Sequence, residues 1–145
     1  MTTKSRFLPW LLLACLALLA ACHPAAPEAR LRGTIEGMQH ALEQGRPRDF
    51  MAAVAPDFAG NGGMDCAALH NLLRAQLLAH ARVGATLGPL QVRIDGTTAT
   101  VESRVLLTGG GERGLPDSAG AYRLTTGWRE VDGDWQVYYA RWEPW

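Results

Sequence analysis

The chain has no surplus of charge in either direction, its 145 residues carrying 14 Lys and Arg against 14 Asp and Glu. That balance leaves no basic surplus of the kind that predicts nucleic-acid binding, and none is expected. Metal ligands are equally scarce. Only four His are present. His70 and His80, which share a predicted helix, fall on different sides of it, and no His or acid stands at an i,i+4 position to help them. No metal site is expected. The glycine-rich run Thr108 to Gly120 mimics a phosphate loop but lacks the Gly-Lys-Ser/Thr ending. It reads as a mobile loop, and no cofactor is expected. Long apolar runs are missing too: Phe7 to Leu19 falls short of the roughly 20 residues that cross about 30 Å of hydrocarbon.

That short run does follow a basic head, Lys4 and Arg6, and ends on Leu19-Ala20-Ala21-Cys22. This is the layout of a secretory signal. The last four residues resemble the lipobox of bacterial lipoproteins, in which Leu, a small residue, Ala and Cys direct a diacylglycerol onto the cysteine sulfur and cleavage just before it. The resemblance implies a signal peptide over residues 1–21, lipidation of Cys22, and anchoring in a lipid bilayer through two or three acyl chains at about 0.8 kcal/mol per buried CH₂. Cys15 is rejected, because Leu13 stands where a small residue belongs. His23 follows the lipidated cysteine, and by the same resemblance a residue other than Asp there implies the outer membrane, facing the periplasm.

Several consequences follow from that cleavage. The mature chain, without Lys4 and Arg6, holds twelve Arg against fourteen Asp and Glu, and has the length of one ordinary domain. Cys15 is cut away and Cys22 becomes a thioether, so Cys66 is left alone and an internal disulfide is excluded. Cys66 reads as a small packed residue. Residues 22–29, with Pro24 and Pro27 and no core-forming side chain, read as a tether, and 30–145 as the domain.

Within that region Leu31, Ile35, Met38 and Leu42 recur at helical spacing, which predicts a helix from about Glu28 to Gln44, ended by Gly45 and Pro47. A short helix from about Arg48 to Ala55 closes at Pro56. Asp65 reads as the N-cap of a third helix running to about Arg82, with Gly84 at its exit. The period then changes to two. Leu90 to Ile94 and Ala99 to Leu107 form one predicted hairpin across Asp95-Gly96. Ala121 to Val131 and Asp134 to Glu143 form a second across Asp132-Gly133, a dipeptide favoured in two-residue turns. Pairing Val131 with Asp134 puts Tyr122, Leu124, Thr126, Trp128, Trp135, Val137, Tyr139 and Arg141 on the inward face, and Tyr138 and Trp142 on the outward one.

Helix, short helix ending in Pro-Asp-Phe, helix, then long antiparallel strands finishing on Gly-Asp-Trp-Gln-Val resembles the nuclear transport factor 2-like superfamily (ketosteroid isomerase-like, SnoaL-like). The match spans roughly Ala29 to Glu143. It implies an α+β fold: a cone-shaped, curved antiparallel sheet packed on N-terminal helices, with a pocket at its open end and, in many members, a homodimer through the outer sheet face. No catalytic signature carries over. The isomerases of the family use a Tyr on the first long helix and a strand Asp, which are absent from the matching positions here.

On the third helix, Leu69, Leu72, Leu73 and Leu77 define a stripe whose centre includes Gln76 and His80. With Tyr122, Thr126, Trp128, Tyr139 and Arg141 these are the pocket-lining candidates. An apolar cone with several polar tips suits a small amphipathic ligand. Two functional readings result: a membrane-anchored envelope lipoprotein that binds such a ligand, or a protein partner, without catalysis; or a small-molecule lyase or isomerase using His80 and Tyr139 as acid and base.

Overall fold

The computed structural model describes residues 25–80, 82–110 and 116–145, the last stretch with backbone alone at 116–118. The signal segment and Cys22 lie outside the described residues. Helix α1 spans Pro27–Glu43 and buries Leu31, Ile35, Ala41 and Leu42. It begins on Pro27, whose fixed φ suits a first helical position, so three residues read as tether join the helix. Gly45, at φ +65°, turns the chain out of it. Helix α2, Pro47–Met51, also starts on a proline. Helix α3, Cys66–Ala79, is capped as expected by Asp65, whose carboxylate accepts from the Ala68 N–H at 2.7 Å.

Two strands that were not expected border these helices. Strand β1, Val54–Ala59, takes the residues assigned to the end of the short helix and to the turn after it. It pairs in parallel with the last strand, Val54 opposite Val137. Pro56 is tolerated because β1 is an edge strand. Strand β2, Arg82–Leu87, follows α3, which stops at Ala79 with His80 already extended. Gly84 is therefore no helix exit. A Cβ there would lie 2.8 Å from the Thr108 hydroxyl of the facing strand.

Strands β3 (Gln91–Asp95), β4 (Thr98–Gly110), β5 (Pro116–Val131) and β6 (Asp134–Pro144) complete a six-stranded, unclosed, curved sheet in the order β1-β6-β5-β4-β2, with β3 beside β4. Only β1 with β6 is parallel. One edge of β4 is shared, β3 pairing with its first half and β2 with its second. Much of the expected loop from Thr108 to Gly120 is thus strand, since Thr108–Gly110 ends β4 and Pro116 begins β5. The intervening residues lie outside the description.

The β5–β6 hairpin has the expected register at its turn, Val131 facing Asp134, with positive φ at Asp132 and Gly133. Four pairs later it slips. Trp128 faces Val137 but Gly127 faces Tyr139, so Tyr138 is an extra residue, a β-bulge. The side-chain parity of β6 reverses beyond it. Ala140, opposite Thr126, is buried and Trp142, opposite Leu124, turns inward, whereas Tyr139 and Arg141 are exposed. Gly127 stands opposite the bulge and leaves room for it. A Cβ on it would sit 3.0 Å from the Tyr138 ring and 3.3 Å from the Tyr139 Cβ.

The core has two parts. One joins Leu31 and Ile35 of α1 to Val54, Phe58, Val101, Trp128, Trp135 and Val137. The other joins Leu42 and Leu73 to Ala85 and Val105.

Candidate ligand cavity

The helices and the inner sheet face do not meet everywhere. Between the two core clusters lies a half-open cavity of about 580 Å³, within the roughly 300–1,000 Å³ typical of small-molecule sites. Its floor is made by Ile35, Phe58, Val101, Thr126, Trp128 and Val137, every one less than 9% exposed. Its rim lies where α3 ends, opposite the far ends of β4 and β5. Exposure rises there: Leu72 is 40% and Leu107 41% accessible, and Gln76 is exposed.

Polar groups divide in the same way. Deep in the cavity the Trp128 indole N–H donates to the Thr126 hydroxyl at 2.7 Å, and that hydroxyl donates to the Val101 carbonyl at 3.3 Å. Ser103 donates to the Gly88 and Arg104 carbonyls at 3.2 and 3.0 Å. No buried side-chain nitrogen or oxygen among the described residues lacks a partner. At the rim stand Gln76, His80 and Tyr122. The Tyr122 ring lies over Gly120, where a Cβ would come within 2.6 Å of it.

No Asp, Glu, Lys or Arg lines the cavity among the described residues, and its ionisable side chains are His80 and Tyr122. Strong ion pairing occurs elsewhere. On the outer face Asp57 accepts from Arg129 at 2.9 Å through one carboxylate oxygen and more closely through the other. That hydrogen bond holds the Asp57 carboxyl below the usual carboxylate range and raises Arg129. Arg129 also stacks 5.6 Å from the Tyr138 ring centre. This pair ties β1 to β5 over the intervening β6, away from the cavity.

Of the sequence-derived candidates, Gln76, His80, Tyr122, Thr126 and Trp128 line the cavity. Tyr139 and Arg141 do not. The bulge at Tyr138 sends both to the outer face, where Arg141 pairs with Glu143 at 2.5 Å. The acid–base pair of His80 and Tyr139 is therefore not assembled, and Thr126 and Trp128 spend their polar atoms on each other and on Val101. Trp142, expected outside, lines the cavity with Ala140, Phe58 and the β2 residues Val83, Ala85 and Leu87. The strict alternation of those three around Gly84 and Thr86 is the signal that could have placed them.

Helices on one face of a six-stranded, unclosed sheet, with a cavity between them, define the nuclear transport factor 2-like or cystatin-like fold. Solved structures share it. A candidate scytalone dehydratase of Novosphingobium aromaticivorans superposes with a TM-score of 0.73 at 16% identity, covering 81% of this chain and 83% of its own. A nuclear transport factor 2-like protein of unknown function from Pseudomonas putida gives 0.69 at 20% identity, with 83% and 87% covered. Another with a cystatin-like fold, from N. aromaticivorans, gives 0.67 at 20%, with 92% and 87% covered. Likeness at this identity extends to the fold alone. No family model and no curated protein matches the sequence.

Proposed function

We propose that the protein is a lipid-anchored component of the bacterial cell envelope whose domain binds a small apolar or amphipathic molecule without chemical change. The observation that carries the binding half is the cavity, which is large, open at one end, apolar and uncharged among the described residues. The acid–base pair expected of a lyase or isomerase, His80 with Tyr139, is not assembled there, because Tyr139 faces outward. The test is titration with N-phenyl-1-naphthylamine, a neutral dye that fluoresces in apolar surroundings. Saturable binding is expected, weakened at least about tenfold in Ala140→Phe, whose ring would enter the cavity, with circular dichroism confirming its fold. A wild-type protein that gives no saturable signal refutes the reading.

The anchoring half rests on Cys22, and the fold supports a definite arrangement for it. The first helical residue, Pro27, lies beside the turn joining β5 and β6: its carbonyl accepts from the Trp135 indole at 3.1 Å, and Arg30 donates to the Gly133 carbonyl at 2.5 Å. This is the closed end of the cone. Five residue steps from Cys22 span at most about 18 Å, so an anchor there holds the closed end near the bilayer and turns the rim toward the aqueous side. Cys22→Ser should move the protein from the membrane to the aqueous fraction; retention on the membrane refutes lipid anchoring. The outer face, where Leu106, Tyr139 and Trp145 are exposed, is the surface for the expected homodimer. Sedimentation showing monomers at high concentration would exclude it.

A further inference from the structure

We infer that the cavity admits an uncharged amphiphile apolar end first and holds its hydrogen-bonding head at the rim formed by Gln76, His80 and Tyr122. This rests on the cavity being a ligand site, and it names the ligand class and its orientation.

Three observations combine. The deep polar hydrogens are already used, because the Trp128 indole donates to the Thr126 hydroxyl, that hydroxyl to the Val101 carbonyl, and the Ser103 hydroxyl to the Gly88 and Arg104 carbonyls, so an acceptor pushed to the floor would find no side-chain donor among the described residues. An apolar end entering first meets Ile35, Phe58, Val101 and Val137 and loses nothing. The rim, by contrast, offers an amide, an imidazole and a phenol, each able both to donate and to accept. Such groups match an alcohol, an amide or an ester.

The third observation is the missing charge. No side chain of either fixed sign lines the cavity among the described residues. Among the described lining residues an anionic head at the rim would have no cation to pair with and a cationic head no carboxylate, and each would surrender hydration without compensation. A neutral head surrenders far less. The gradient from apolar floor to neutral polar rim therefore selects against charge as well as setting direction.

The experiment compares 1-decanol, decanoate and decyltrimethylammonium, which share a tail and differ in head charge, by displacement of N-phenyl-1-naphthylamine at pH 8 below their aggregation limits. Decanol is expected to bind at least about tenfold more tightly than either ion. Gln76→Arg puts a cation among the rim groups and should shift the decanol-to-decanoate affinity ratio about tenfold toward decanoate. If decanoate or the ammonium binds the wild type as tightly as decanol, neutral selection is overturned while the cavity stands as a ligand site. If Gln76→Arg leaves the decanol-to-decanoate ratio unchanged, the head does not sit at the rim and the orientation is overturned. Failure of all three to displace a bound dye overturns the amphiphile class, and failure of the dye itself to bind removes the cavity as a site.

Discussion

Thr126→Val isolates the hydrogen bond that keeps the cavity floor apolar. Thr126 is 8% exposed and Trp128 3%, and the indole N–H has the Thr126 hydroxyl as its partner at 2.7 Å. Valine preserves shape and β-branching but accepts no hydrogen bond. A buried donor left without a partner costs about 1–3 kcal/mol, whereas the methyl that replaces the hydroxyl returns roughly 0.8 kcal/mol at most. The net loss should centre on about 1 kcal/mol (roughly 0.2–2.2), read as a lower urea midpoint at unchanged slope and a Tm lower by about 3–6 °C for a domain of this size. The mechanism is checked by a double-mutant cycle. Trp128→Phe removes the donor, so it should cost about 1 kcal/mol less in the Thr126→Val background than in the wild type. Additive losses, or a Thr126→Val variant as stable as the wild type, would show that the indole finds water in the cavity and that the floor is wet.

Other perturbations have equally definite outcomes. Tyr139→Ala, on the outer face, should leave dye affinity within about twofold, while Tyr122→Ala at the rim should change it about fivefold or more; dye titration of both variants separates the two faces. Gly120→Ala forces the Tyr122 ring aside, and because that side chain can swing the loss of stability should stay near about 1 kcal/mol while affinity changes, the reverse of a pure packing defect, as paired urea and dye titrations would show. Asp57→Asn removes a carboxylate whose folded pKa is depressed, so the contribution it loses is present above the unfolded value of 3.8 and fades as pH falls through the folded one. Wild type and Asp57→Asn should differ in Tm at pH 7 and converge below the ordinary carboxylate range; a gap persisting in strong acid would mean the ion pair is not its source.

The sequence reveals most where the signal is local. Helix α1 follows from the spacing of Leu31, Ile35 and Leu42, and the cap on α3 from Asp65. The β5–β6 turn follows from Asp132-Gly133, both at positive φ, and its first register pair is Val131 with Asp134. The strands β1 and β2 were hidden for opposite reasons. Val54-Ala55-Pro56 carries no alternation and becomes a strand only because β6 lies beside it, the Val137 N–H reaching the Ala53 carbonyl at 2.9 Å. Val83-Gly84-Ala85-Thr86-Leu87 does alternate, but it follows an apolar helix so closely that the change of period is masked, and Gly84 imitates a helix stop. For the cavity, periodicity brings Gln76, His80, Tyr122, Thr126 and Trp128 to the correct face, whereas the depth of each and its hydrogen-bond partners depend on contacts across the fold.

The bulge at Tyr138 shows why one unmarked residue can decide what a cavity is. With unbroken alternation from Val137, the side chains of Tyr139 and Arg141 would project into the space between sheet and helices. The phenol would occupy part of the cavity, and the guanidinium would face an apolar wall with Glu143, its partner at 2.5 Å, carried inward at the same parity. Burying that ion pair would cost desolvation that an apolar lining cannot return. The extra residue instead places Ala140, a small side chain, opposite Thr126, and Trp142 opposite Leu124, while both charges stay in water. The site is thereby both emptied and neutralised. Its volume and its freedom from charge share one cause, and Gly127 leaves room beside it: a Cβ there would come within 3.0 Å of the Tyr138 ring and 3.3 Å of the Tyr139 Cβ, so a larger residue would have to displace the Tyr138 side chain.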